Sequence, residues 1–368
     1  MKPEKGTMQT ETHGKDGKKK GVPPPAELPQ PESIDPEAIL KMYAAGETDL
    51  ICILGPTASG KTRYAVNLAR RLNSMLSDPA LMSGITPAEG TRLSPETGAE
   101  IISADSRQVY RDMDIGTGKD LSEYGEIPVH LTDIADAGTK YNIFQYQHDF
   151  EAAYRDIRER GGIPILCGGS GLYIEAVTCG YSLPDVPADH ELRTRLEKED
   201  TETLIRKLAS LKPLHNSTDY DTRKRLIRAL EIAIYEQSHP VDTTHFLPKD
   251  TYYIGTLVSR EERNAGIDRR LDTRLREGMV EEVKGLLDRG IPAEDLIYYG
   301  LEYKFVTLYL TGELEYEEMR DRLAIAIHQF AKRQMTWFRG MERKGLRIHW
   351  TRASSDFDDR KEASGTRI

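Results

Sequence analysis

Gly55, Gly60, Lys61 and Thr62 stand at the spacing G-x-x-x-x-G-K-T and close an apolar run from Leu50 to Leu54. Residues of these types at this spacing hold polyphosphates. The loop Gly55-Pro56-Thr57-Ala58-Ser59-Gly60-Lys61-Thr62 can turn successive N–H groups toward phosphate oxygens, and a helix behind it adds partial positive charge. In this arrangement Lys61 reaches the outer phosphates and the Thr62 hydroxyl ligates Mg²⁺. Asp105, at the end of a second apolar run, is the next chemical candidate. A carboxylate there either organises the Mg²⁺ or takes a proton from a nucleophile facing the phosphates, and composition does not separate the two. The loop by itself leaves open whether the phosphate is transferred, hydrolysed or the leaving group.

These residues need a frame. Ala65, Leu68, Ala69 and Leu72 fall at i, i+3, i+4 and i+7, so a helix with one apolar face follows the loop. Ile101-Ile102 begins a strand that ends at Ser103-Ala104-Asp105-Ser106, and Val129 to Ile134 reads as a third strand. Phe144 to Arg160 reads as a helix, and Ile163 to Cys167 as a strand running into Gly168-Gly169-Ser170-Gly171. Such alternation predicts an α/β fold of the P-loop NTPase type, a parallel sheet with helices on both faces. Ligands gather beyond the carboxyl ends of its strands, where the loop, Asp105 and the Gly168 turn stand.

Around this core, residues 1–35, with Lys18, Lys19, Lys20 and the Pro23-Pro24-Pro25 run, read as a disordered tail. Residues 36–182 form the first part of the core, opening on a short helix with Ile39, Leu40 and Tyr43. Met75 to Gly98 reads as a surface insertion. Residues 183–249, charged and helical from Glu191 to Glu236, form an inserted small helical domain. Residues 250–350 complete the core, with a strand from Tyr252 to Val258 and a capping box at Ser259 and Glu262. They end in a helix from Glu315 to Lys344 with core positions Met319, Leu323, Ala326, Phe330 and Trp337. Residues 351–368 read as a polar tail.

Composition narrows the function classes. A chain of 368 residues is long enough for a large α/β core and a smaller unit. It holds no apolar stretch near the ~20 residues that span a bilayer and no signal-peptide pattern, so a cytoplasmic protein that meets no membrane is expected. The three cysteines, Cys52, Cys167 and Cys179, are scattered, and no HExxH occurs among the nine histidines; disulfide framework and zinc site are unsupported. The net charge of −9 argues against general nucleic-acid adhesion and leaves local patches open.

Five segments occur in order: G-P-T-A-S-G-K-T, I-I-S-A-D-S-R-Q-V-Y-R-D-M-D-I-G-T-G-K (Ile101 to Lys119), G-G-S-G-L-Y (Gly168 to Tyr173), R-L-I-R-A-L-E (Arg225 to Glu231) and A-K-R-Q-M-T-W-F-R (Ala331 to Arg339). Together they resemble the tRNA dimethylallyltransferase family over residues 50–345. The resemblance implies transfer of a dimethylallyl group from dimethylallyl diphosphate to the exocyclic amine of the adenine 3′ of the anticodon. Diphosphate leaves, held by the loop, Lys61 and Mg²⁺ on Thr62, and Asp105 accepts the amine proton. Arg270 and Arg274, one turn apart in D-R-R-L-D-T-R-L, match family arginines near the diphosphate.

For tRNA the same resemblance implies Ser106, Arg107 and Gln108 at the extruded adenine, with Ser170 where the family more often has threonine. A basic cluster at Arg223, Lys224, Arg225 and Arg228, and another at His328, Lys332, Arg333 and Arg339, would follow the phosphate backbone. One departure concerns Gly300-Leu301-Glu302-Tyr303-Lys304: Glu302 stands where the family has glycine, next to the candidate contact Lys304. The zinc-binding extension of eukaryotic relatives has no counterpart. A monomer is expected. Competing readings are prenylation of free adenine nucleotides, a P-loop small-molecule kinase, and a nucleotide-switched protein, which lacks its N-K-x-D motif.

Overall fold

A computed structural model describes residues 28–180, 186–212, 222–239 and 246–353. Lys18 to Lys20, the Pro23–Pro25 run, Leu183 to Asp185 and residues beyond 353 lie outside the described residues. Six strands, β1 (Leu50–Leu54), β2 (Ala99–Ser103), β3 (Val129–His130), β4 (Ile163–Gly168), β5 (Thr251–Leu257) and β6 (Ile348–Arg352), form one sheet in the order β3-β2-β4-β1-β5-β6. Every pairing is parallel. α1 (Pro36–Ala44) leads into β1; parallel strands need crossovers, supplied here by α2 (Lys61–Leu76), α3 (Pro79–Met82), α4 (Ile143–Glu159) and α5 (Gly171–Thr178).

Both sheet faces are buried, which is why β1 is apolar at every position. Ile51 and Ile53 pack with Leu68 and Leu72 of α2 on one face; Leu50, Cys52 and Leu54 pack with Phe150 of α4 and Ile174 of α5 on the other. Registers Leu54↔Gly168 and Leu54↔Gly255 bring the carboxyl ends of β4, β1 and β5 level. The turns carrying the chemistry therefore lie side by side at one edge of the sheet.

Between the sheet's two halves come α6 (His190–Leu196), α7 (Thr201–Leu211) and α8 (Arg223–Ser238), whose Leu192, Leu204, Leu208, Leu226 and Leu230 make a separate core. After β5 follow α9 (Arg260–Arg276), α10 (Met279–Asp288), α11 (Ala293–Tyr298), α12 (Leu301–Leu310) and α13 (Tyr316–Arg343). Ile267, Leu271, Val283, Tyr303, Met319, Leu323 and Ile327 join these helices, and Val109, Tyr110 and Met113 attach the chain after Asp105 to them.

Four expectations change. β3 stops at His130, because Leu131 and Asp133 take φ of +61° and +55°, which breaks the extended backbone. In α13 the buried face runs Met319, Leu323, Ile327, Ala331, Gln334 and Phe338, while Phe330 and Trp337 are exposed. The buried face turns around the helix because Met319 to Ala331 pack among α9 to α12, whereas Phe338 and Met341 pack on the sheet side with Leu54 and Trp350. Thr351 belongs to β6, not to a tail, and is fully buried. Order also starts before residue 36: Ile34 is buried and the Glu32 N–H donates to the Trp350 carbonyl at 2.6 Å. Within the insertion, Leu81 and Met82 of α3 and the following Ile85 and Leu93 are partly buried against the core that holds α1 and α2.

Candidate active site

The phosphate loop leaves β1 at Gly55 and enters α2 at Lys61. Gly60 takes φ of +80°, a left-handed conformation that glycine adopts without strain, and it caps α2 without a side-chain bond. The first-turn N–H groups of α2 thus remain for an anion. Two side chains pin the loop from below. Gln334 of α13 accepts from the Thr57 N–H at 2.8 Å and donates to the Gly169 carbonyl at 2.9 Å, tying the loop to the turn after β4. The Ser59 and Thr256 hydroxyls meet at 2.6 Å beneath Gly55. Trp337 reaches the same turn from outside, since a Cβ at Gly171 would meet its ring at 2.3 Å.

Asp105 follows β2, half-buried, and its Oδ1 accepts the Arg107 N–H at 2.9 Å. The Ser106 N–H donates to Ser170 Oγ at 3.2 Å, so the turns after β2 and β4 are joined. Gln108 donates to the Gly118 carbonyl at 3.1 Å. The Arg270 guanidinium donates to the same carbonyl at 3.1 Å and pairs with Asp120 at 2.9 Å. Arg274 approaches so closely that a Cβ at Gly118 would lie 1.4 Å from its Nη2; with φ at +63° the position requires glycine twice over.

Three cations gather at this edge, and burial acts on two of them. Burial pushes the Lys61 ammonium below its ordinary value, opposed by Cys167 and Asp105 and assisted by Arg270 and Arg274. Burial, then Arg270, pushes Arg274 down to about 10. The Arg274 side chain is 11% exposed, its nearest carboxylate oxygen, on Glu302, stands 3.8 Å away, and its Nη2 has no partner among the described residues. Buried cations are normally paired closely, so an arginine with one long contact and an unpartnered nitrogen beside a phosphate loop has donors free to take an anion. Thr57, Ala58, Arg270, Leu271, Arg274, Glu302 and Ile327 line a pocket there.

The outlying candidates are placed differently. Arg107 lies over the Tyr298 ring at 5.8 Å, and Lys140 over the same ring at 5.9 Å. Lys304 is exposed on α12 beside Phe305, Lys332 is exposed on α13, and Arg333 stacks on Phe330 at 5.8 Å. Arg339 is half-buried, and His328 stands 2.9 Å from Asp268. On α8, packed against α6 and α7, Lys224 and Arg225 are exposed. Arg223 donates to the Leu196 and Glu197 carbonyls, and Arg228 to Glu231 and the Val186 carbonyl. The structure thus makes Arg223 and Arg228 struts of the helical unit, a role their sequence cluster conceals.

Some contributors carry no sequence signal. The Glu282 carboxylate accepts the Asp114, Ile115 and Gly116 N–H groups at 2.8, 2.7 and 3.0 Å and the Tyr303 hydroxyl at 2.6 Å. It shapes the loop that presents Gly118. Exposed Tyr298 and the buried unpartnered atoms Arg263 Nε and Asn264 Oδ1 are likewise visible only in three dimensions. Gln334 lies inside the A-K-R-Q-M segment, where its identity gave no role.

Residues 108–341 match the family model described as IPP transferase. The chain belongs to this family, the tRNA dimethylallyltransferases. A protein called tRNA dimethylallyltransferase 2 from Porphyromonas gingivalis is 56% identical over 318 residues, covering 85% of this chain and 97% of that protein. The crystal structure of a full-length tRNA isopentenylpyrophosphate transferase from Bacillus halodurans superposes with a TM-score of 0.57 at 34% identity, covering 86% and 93% of the two chains. A eukaryotic dimethylallyltransferase captured acting on tRNA gives a TM-score of 0.62 over 85% of this chain and 77% of its own. At 24% identity that likeness shows the fold alone. Family membership gives the parallel sheet with its phosphate loop a transferase setting.

Proposed function

We propose that this protein transfers a dimethylallyl group from dimethylallyl diphosphate to the exocyclic amine of the adenine 3′-adjacent to the anticodon of tRNA. The observation that carries the site assignment is Arg274, buried with its Nη2 unpartnered among the described residues, beside Arg270 and facing a phosphate loop whose strand-end neighbour is Asp105. The diphosphate binds the loop N–H groups, Lys61, Arg270 and Arg274. As the C1–O bond breaks, these groups stabilise the charge that collects on the departing diphosphate. The adenine amine forms the new N–C1 bond and gives its proton to Asp105.

Mg²⁺ fits this donor set. Mg²⁺ keeps several waters and takes one or two protein oxygens plus substrate phosphates. The Thr62 hydroxyl at the start of α2 is such a donor, and the described residues hold no cluster of three His, Cys, Asp or Glu that would suggest another metal. When bound, Mg²⁺ would neutralise part of the diphosphate charge.

The target adenine must leave its stack to reach Asp105. Ser106, Arg107, Gln108 and Ser170 surround that position, and Tyr298 beneath Arg107 and Lys140 offers an aromatic face to a neighbouring base. Lys304, Lys332, Arg333 and Arg339 supply backbone contacts from α12 and α13, Lys224 and Arg225 from α8, and Arg228 supports the latter pair. We place the reaction in the cytoplasm with a monomeric enzyme; no described helix is long and apolar enough to cross a membrane. Labelled dimethylallyl diphosphate offered with bulk tRNA, AMP or ATP tests the proposal. Label must appear in tRNA adenine. Label in AMP alone, or phosphoryl transfer from ATP without prenylation, would overturn it.

A further inference from the structure

An acidic side chain stands in the wall of the pocket that faces the phosphate loop. Glu302 lines it together with Thr57, Ala58, Arg270 and Arg274. A carboxylate beside an anion site repels the ligand, so its presence needs a reason. Its Oε1 lies 3.8 Å from Arg274 Nη1, close enough to attract but too far for a made hydrogen bond. Arg274 Nη2 has no partner among the described residues, so the arginine is only loosely held. The charges acting on Glu302 are Arg274 and Arg270 from α9 and Asp105 from the turn after β2; Tyr303 adjoins it on α12.

We infer that Glu302 is a displaceable counter-ion: it holds Arg274 loosely, loses it to an arriving diphosphate, and takes up a proton as it does so. The inference rests on the diphosphate assignment made above. A diphosphate on Arg274 removes the counter-ion of Glu302 and adds negative charge beside it, and both changes favour the neutral carboxyl. Burial already raises the affinity of Glu302 for a proton above the ordinary carboxylate level, against the pull of Arg274. When product diphosphate leaves, the proton is released and Arg274 returns to Glu302. Glu302 thereby weakens diphosphate binding and speeds product release.

The sign follows from linkage. Diphosphate binds the protonated form better, so Glu302 lowers affinity increasingly as pH rises through its own titration. Calorimetric titration of inorganic diphosphate with Mg²⁺ into wild type, Glu302→Gln and Glu302→Ala, at mildly acidic and mildly alkaline pH, reads this directly. Buffers of different ionisation heat report the protons taken up. Titration of diphosphate itself is common to all three proteins and cancels in the comparison. Both variants are expected to bind on the order of tenfold tighter than wild type in alkali, the two converging on wild type in acid. Both should lose the extra proton uptake. The alanine variant guards against a new hydrogen bond between the introduced amide and Arg274. A ratio independent of pH, with unchanged proton uptake, would overturn the inference while leaving the diphosphate site intact. Failure of wild type to bind diphosphate would instead overturn the site assignment, and the inference with it.

Discussion

Two regions of this molecule are rich in arginine, and they treat it in opposite ways. At the carboxyl edge of the sheet, Arg274 is buried with an unpartnered nitrogen and Lys61 is pushed below its ordinary pKa by burial. In the helical unit of α6 to α8, Arg193 and Arg228 converge on one buried carboxylate, Glu231, at 2.7 Å and shorter. There the cations are satisfied internally and hold helices together. At the sheet edge Arg270 has Asp120, but Arg274 keeps one nitrogen without a protein partner among the described residues. Basic residues in a sequence therefore say little about binding until their partners are known.

The comparison can be broken most severely at the sheet edge. Asp105→Asn keeps shape but cannot accept a proton, so turnover should fall on the order of 10²–10⁴-fold with diphosphate affinity nearly unchanged. Near-normal single-turnover rates would leave Asp105 with only the metal-organising role. Arg274→Ala should cost about 10²-fold in turnover with dimethylallyl diphosphate. Because Arg274 has only the long contact to Glu302, the variant's thermal midpoint should change little; a clear drop would mean that Arg274 is a strut like Arg228.

In the helical unit the opposite outcome is expected. Arg228→Ala should lower stability by about 1–2 kcal/mol, a figure reduced for the solvent reaching a half-exposed guanidinium. Denaturant unfolding of wild type and variant measures it. Glu231 also sets a pH dependence. Burial pushes its pKa up, but hydrogen bonds from Arg193 and Arg228 outweigh this and hold it below the ordinary glutamate value. A folded pKa below the unfolded one gives stability that is present above the unfolded value and lost as pH falls through the folded one. Acid should therefore loosen α6 to α8, seen as amide exchange in these helices; Glu231→Gln should remove that dependence.

Exposed residues should act on tRNA binding and not on the fold. Lys224→Ala should leave stability alone and reduce the salt slope of tRNA binding by about one unit, as for a single lost phosphate contact. Tyr298→Ala should weaken tRNA binding by about 1–3 kcal/mol, the scale of one stacked base, and Tyr298→Phe should restore it. If Tyr298→Ala binds tRNA like wild type, no base rests on that ring.

Local signals determined much of this protein in advance. The phosphate loop, the apolar run of β1 and the alternation of strands and helices are readable because each depends on neighbours a few positions away. The strand-end position of Asp105 has the same basis, and the resemblance supplied the family and the chemistry. What neighbours in sequence cannot encode is partnership across the chain. Arg228 and Arg274 look alike in the sequence, yet one is held tightly by Glu231 and the other only at 3.8 Å by Glu302, because α8 packs on its own small core while α9 faces the loop 105–120. The inward face of α13 depends on helices that pack against it, so Gln334, not Trp337, reaches the loop. Glu282 and Thr351 have their places for the same reason, since burial and hydrogen bonding belong to segments that only the folded chain brings together.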